Sequence, residues 1–188
     1  MLAARRSYAD WAREFDLGRL KFIDESGVNI SMTRPYGRAP RGERVVGSAL
    51  QNYGENVTML GALSETGLCA LMTVDGATDG DVFTAFVREV LAPTLTAGDI
   101  VVLDNLSAHH SAAAREAVAQ RGARLVFLPP YSPDLNPIER CWSKIKTALR
   151  AAKARTREAL EEAIKQAIAT VTKSDALAWF KHCGYVLH

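Results

Sequence analysis

Three acids, Asp24, Asp104 and Glu139, stand where a carboxylate needs a reason to be. Asp24 follows the apolar pair Phe22 and Ile23, Asp104 follows the unbroken apolar run Ile100 to Leu103, and Glu139 falls in the first turn of a helix introduced by a proline-rich loop. An ionised group at the end of an apolar run costs free energy to bury unless something pairs with it. Carboxylates brought together repel and raise one another's pKa, and a divalent cation relieves that repulsion. Hard ions such as Mg2+ or Mn2+ accept carboxylate oxygens while keeping positions open for water and phosphate oxygens. Two such ions about 4 Å apart can activate an attacking hydroxyl and stabilise the leaving oxygen of a phosphodiester. Asp24, Asp104 and Glu139, as metal ligands and catalytic acids together, point to metal-assisted phosphoryl transfer.

Glu139 has a plainer alternative, and so do other polar residues along the chain. Asn136 suits a helix N-cap and Pro137 the first helical position, which makes Glu139 the third helical residue and half of a capping box. His109 and His110 lie shortly after Asp104 and read first as the entry to the next helix, with metal or phosphate contact as the other option. The segment DGATDGD, residues 75–81, lacks the ligand spacing and closing glutamate of a calcium loop, so its aspartates are assigned to a turn and to a cap at Thr78 or Asp79.

The elements that must position these groups follow from periodicity and punctuation. Residues 1–18 form a short amphipathic helical segment with Tyr8, Trp11 and Phe15 on one face. Arg19 to Val28 is a first strand, ending near Asp24 in its apolar part. Arg34 to Asn56, rich in Gly, Pro and Arg, is an extended loop or ragged hairpin. Val57 to Leu63 and Leu68 to Val74 are two strands joined by a tight turn, hence an antiparallel hairpin. A helix runs from about Gly80 to Leu91. Ile100 to Leu103 is a strand buried on both faces, followed by a helix from Ala112 to Gln120 and a strand from Leu125 to Leu128 that Pro129 and Pro130 end. Strand, helix, strand implies a parallel crossover, and ligands gather at the carboxyl ends of such strands. A helix from Ile138, a second capped by Thr156 and a shorter one from Ser174 to His182 complete an α/β chain.

At 188 residues and 48% hydrophobic content the chain supports one cored domain. Cys69, Cys141 and Cys183 are far apart with no CxxC pair, so reduced thiols in a cytosolic protein are expected. No stretch has the length of a membrane span and no signal peptide opens the chain. The net charge is only +2, yet it is unevenly placed. Between Pro137 and Arg157 seven basic residues face one acid, and Arg34 to Arg44 hold four arginines and one glutamate. Basic clusters of this kind suit a polyanion, with Arg34, Arg38, Arg41, Arg44, Arg140, Lys144, Lys146 and Arg150 as candidate DNA contacts. Solvated surface is the alternative for either cluster. Thr156 is expected to break the helix, and with it any straight stripe from Lys146 to Arg157.

The segments FIDESG, RPYGRAPRGERV, GATDGDVF, VVLDNLSAHHS, LPPYSPDLNPIE and WFKHCGY, in that order, resemble the catalytic domain of insertion-sequence-630-type transposases of the Tc/mariner superfamily. The likeness runs from about Leu20 to the end, and the 34 residues between Asp104 and Glu139 match the family spacing of its second and third acids. The resemblance implies a ribonuclease-H-like fold, a mixed central sheet flanked by helices, over residues 19–188. It further implies that Asp24, Asp104 and Glu139 bind two Mg2+ or Mn2+ ions and perform cut-and-paste transposition. In that reaction water cleaves double-stranded DNA at the element ends and the freed 3′ hydroxyls attack target DNA, typically at TA. Asn105 and His109 would support the ligands or touch DNA. A homodimer on DNA and a cytoplasmic, nucleoid-associated location belong to the same expectation. About twenty residues precede the first strand, fewer than a helix-turn-helix unit needs, so that module is expected to be absent here or supplied by a separate polypeptide. A stand-alone nuclease and an inactive DNA-binding remnant are the competing functions.

Overall fold

The computed structural model describes residues 2–106 and 109–185. The elements are α1 (Leu2–Ala12), β1 (Leu20–Val28), β2 (Val57–Ser64), β3 (Gly67–Asp75), α2 (Gly80–Ala85), β4 (Ile100–Leu103), α3 (Ala112–Gln120), β5 (Arg124–Phe127), α4 (Ile138–Ala152), α5 (Arg157–Ala169) and α6 (Lys173–His182). Asp79 caps α2 by accepting from the backbone N–H groups of Asp81 and Val82, and the helix continues through a wider π-helical turn, Phe86–Leu91. The strands make one mixed sheet in the order β3-β2-β1-β4-β5. β1, β2 and β3 pair antiparallel, whereas β1 with β4 and β4 with β5 pair parallel.

Side-chain alternation along these strands builds two cores. Phe22, Met59, Leu63 and Val102 face α1, α4, α5 and α6 on one side of the sheet. Ile23, Leu60, Val101 and Leu103 face α2 and α3 on the other, against Phe83, Phe86, Ala114 and Val118. Each large apolar side chain so buried contributes roughly 1.5–3 kcal/mol. β4 is buried along its whole length, as a strand covered on both faces must be. α4 lays Ile138, Cys141, Trp142, Ile145 and Leu149 onto the first core at helical spacing.

β1 runs to Val28, as its sequence suggests, because β2 supplies partners that far, so Asp24 lies within the strand and not at its carboxyl end. The parallel part of the ladder stops earlier, at Phe22 opposite Val102, two residues before Asp24.

α6 is anchored through Asp175. Its carboxylate accepts from the Thr172 backbone and hydroxyl in a capping box, and from Lys144 Nζ of α4 at 2.6 Å. The Lys144 ammonium and then the Thr172 bonds hold the Asp175 carboxyl down to about 2, from an ordinary 3.8. A carboxyl whose folded pKa is depressed adds stability above its unfolded pKa and loses it as pH falls through the folded one. Asp175→Ala is therefore expected to cost on the order of 1 kcal/mol near neutral pH, a magnitude suited to a half-exposed cap and ion pair. Urea midpoints of variant and wild type should converge between pH 4 and pH 2; a gap that persists at the acid end would refute the assignment.

Candidate active site

The three acids come from three elements and line one cleft of about 380 Å³, together with Asn105, Tyr131 and Asn136. Asp24 is carried by β1, Asp104 follows β4 directly, and Glu139 opens α4. Asp24 is half-buried and accepts a hydrogen bond from the Trp142 indole, Nε1 to Oδ2 at 3.1 Å. Burial, then the charges of Glu139, Glu25 and Asp104, push the Asp24 carboxyl up to about 7 from 3.8, against a backbone hydrogen bond that lowers it. Its surroundings thus oppose its ionisation.

Asp104 is held by His109, whose Nδ1 lies 2.7 Å from Oδ1. The other ring nitrogen, Nε2, lies 3.1 Å from Glu25 Oε1. Burial disfavours the imidazolium, but the hydrogen bonds to Asp104 and Glu25 outweigh it and raise the His109 pKa to about 10. At 1% exposure, with its two ring nitrogens facing Glu25 and Asp104, His109 is buried behind the cleft. Asn105 is exposed at the cleft and bonds His110 Nε2 at 2.8 Å, and His110 stacks on Phe127.

Glu139 is exposed, and its local structure differs from the expected capping box. The helix starts at Ile138 behind Pro137, and no side chain caps its free N–H groups. Asn136 closes a 3-10 turn, Pro133–Leu135, through its backbone N–H, and its side chain makes no capping bond to the helix. It is instead 3% exposed on the cleft wall, with Oδ1 unpartnered among the described residues. Glu139 therefore sits near the positive helix end without doing capping work. Beside it the Tyr131 backbone is left-handed, φ 55°, and its ring is 89% exposed at the cleft.

The three acids share the cleft without closing into a finished ligand shell: among the described residues no group of three or more His, Cys, Asp or Glu is arranged to hold a metal ion as it stands. Their chemistry nevertheless suits a hard dication. Hard oxygen donors surround a carboxyl that resists ionisation, and a buried amide oxygen on the same wall has no partner.

The basic candidates divide. Arg34, Arg38, Arg41 and Arg44 are exposed on the β1–β2 connection, which contains no strand or helix between residues 33 and 56. Arg140 is exposed and contacts His182, while Lys146 and Arg150 are half-exposed on α4. Lys144 is already tied to Asp175 and to the Thr170 carbonyl. The helix breaks at Lys153, left-handed at φ 51°, before Thr156 caps α5, so no straight basic stripe runs on to Arg157.

Two supporting residues escaped the sequence reading. Trp142 follows Glu139 by three, one helical turn on, which was a usable sign that the two share a face. Glu25 follows Asp24 by one, and adjacent strand residues face opposite sides of a sheet.

A mixed sheet of this order, helices on both faces and acids gathered at its central strands, defines a ribonuclease-H-like fold. The chain belongs to the DDE superfamily endonuclease family, whose model matches residues 19–161. It is 28% identical over 163 residues to the transposable element Tcb2 transposase of Caenorhabditis briggsae, covering 81% of this chain and 59% of that protein. The chain thus spans about three fifths of the length of this relative. A paired-end complex of Mos1 transposase with the left transposon end shares the fold at a TM-score of 0.78 and 15% identity, over 96% of this chain and 57% of that one. A Mos1 mariner paired-end complex with Mg matches at 0.73 and 14%, with the same coverage.

Proposed function

We propose that this chain is the catalytic domain of a Tc/mariner transposase, cleaving DNA at element ends and joining the freed ends to target DNA. The observation that carries this reading is the convergence of Asp24, Asp104 and Glu139 on one cleft within a DDE superfamily endonuclease. Asp24, Asp104 and Glu139 would hold two Mg2+ or Mn2+ ions, in keeping with the Mos1 complex with Mg. Bound there, such ions polarise a phosphodiester and make water or a 3′ hydroxyl a competent nucleophile.

The chain's own groups divide the remaining work. Trp142 orients Asp24, His109 holds Asp104, and Glu139, exposed at the helix start, is free to turn toward the other two. No side chain needs to act as a nucleophile. The exposed arginines 34, 38, 41 and 44, with Asn105, Arg140, Lys146 and Arg150, provide phosphate contacts that position DNA without reading its sequence. Lys144 joins them only by giving up Asp175. Joining two ends calls for two copies on double-stranded DNA, with TA as the target and terminal-repeat recognition supplied by a helix-turn-helix module on another polypeptide or another part of the protein.

The test mixes a pre-cleaved duplex bearing a 3′ hydroxyl with supercoiled plasmid and Mg2+. Joined product is expected from the wild type and none from Asp104→Ala, whose fold should persist because that side chain is half-exposed. Nicked plasmid without joined product would instead mark a hydrolytic nuclease.

A further inference from the structure

We propose that Glu25 is a positioning residue that acts through His109 to set Asp104 relative to Asp24, an inference that rests on the metal-binding reading of those acids. The parallel ladder ends at Phe22 opposite Val102, two residues short of Asp24 on one strand and of Asp104 on the other. Beyond that point no β1–β4 pair keeps the two acids in register. Something else must.

The bridge across the gap is His109. It is buried against Phe83, ring centroids 4.5 Å apart, on the α2 and α3 side of the sheet. Strand alternation sends Glu25 to that side and Asp24 to the other. Glu25 Oε1 takes one ring nitrogen at 3.1 Å and Asp104 Oδ1 the other at 2.7 Å. The ring thus spans the two carboxyl groups with one nitrogen at each. The Leu106 backbone N–H also donates to Asp104 Oδ1, at 3.3 Å, so both bonds fall on one oxygen and spare Oδ2. Glu25 thereby fixes the ring, and the ring fixes which oxygen of Asp104 remains available. Groups in this position behind a metal ligand typically change affinity or activity by about 10–100-fold when removed.

Mn2+ binding to the full chain, followed by calorimetry and by loss of the free-ion paramagnetic signal, tests this. Glu25→Ala should weaken Mn2+ by about tenfold and lower kcat for end joining comparably, with KM for DNA unchanged. Glu25→Gln keeps an acceptor oxygen for His109 and should recover most of the loss. In a His109→Gln background, Glu25→Ala should cost nothing further, because the path is already cut. Wild-type affinity in Glu25→Ala, equal damage from Gln and Ala, or additive losses in the double variant would each overturn the proposal. Should His109→Gln fail to fold, the comparison of Glu25→Gln with Glu25→Ala still decides. Mn2+ affinity unchanged in Asp104→Ala would instead remove the metal reading itself, a separate and distinguishable failure.

Discussion

Asp24→Asn is expected to abolish DNA cleavage and, in the same molecule, to stabilise the metal-free fold. The carboxylate is half-buried beside Glu139, Glu25 and Asp104, and those surroundings push its pKa up to about 7. An acid whose folded pKa exceeds its unfolded one is charged at a cost, absent below the unfolded value near 3.8 and complete above about 7. Asparagine removes the charge while keeping an oxygen for the Trp142 indole. The gain should be on the order of 1–3 kcal/mol at neutral pH, opening as pH rises from 4 to 7.

The loss of activity should exceed about a thousandfold, since on the proposed metal-binding reading a ligand that places several kcal/mol of transition-state stabilisation is gone. Mg2+ should raise the thermal midpoint of the wild type by binding only the folded chain, and leave Asp24→Asn nearly unmoved. Thermal melts with and without Mg2+, run beside the joining assay, check both halves. A variant no more stable than wild type, or one shifted equally by Mg2+, would remove the strained-ligand account.

The same residue shows where sequence reading succeeds and where it stops. The apolar run Ile100 to Leu103 announced β4, and the tight turn between two apolar runs announced the β2–β3 hairpin. Those signals are local. The acids were visible as residue types after apolar runs, whereas what holds them was not. Trp142 reaches Asp24 because α4 crosses β1, and His109 reaches Glu25 because alternation turns that side chain to the opposite face. Both facts depend on pairing register. Asn136 looked like a cap because its type and place were right, but the helix starts behind Pro137 and no side chain caps it. Likewise Lys144 and Arg157 read as free positive charge, and their partners Asp175 and Asp75 come from α6 and β3.

Gly61→Ala should damage the protein more than its single added methyl suggests. Gly61 stands directly across from Asp24 in the β1–β2 ladder, and a Cβ there would come within 2.7 Å of Trp142 Cη2, 3.2 Å of Cζ2 and 3.3 Å of Leu71 Cδ1. The indole has little room to retreat: it is 2% exposed in the core and its Nε1 is bonded to Asp24. Overpacking of this kind costs about 1–3 kcal/mol, and any shift of the ring also loosens the Nε1–Asp24 bond. Stability and end joining should therefore fall together. Trp142→Phe makes space but deletes the donor, and a bond to an ionised group is worth roughly 1.5–3 kcal/mol. Combining the two substitutions should recover part of the stability lost in Gly61→Ala, because the clash disappears, while activity stays low, because Asp24 has lost its orienting N–H. Urea midpoints and joining rates for the two single variants and the double variant make the comparison. Strictly additive stability losses, or a double variant with restored joining, would show that the indole is only core filling.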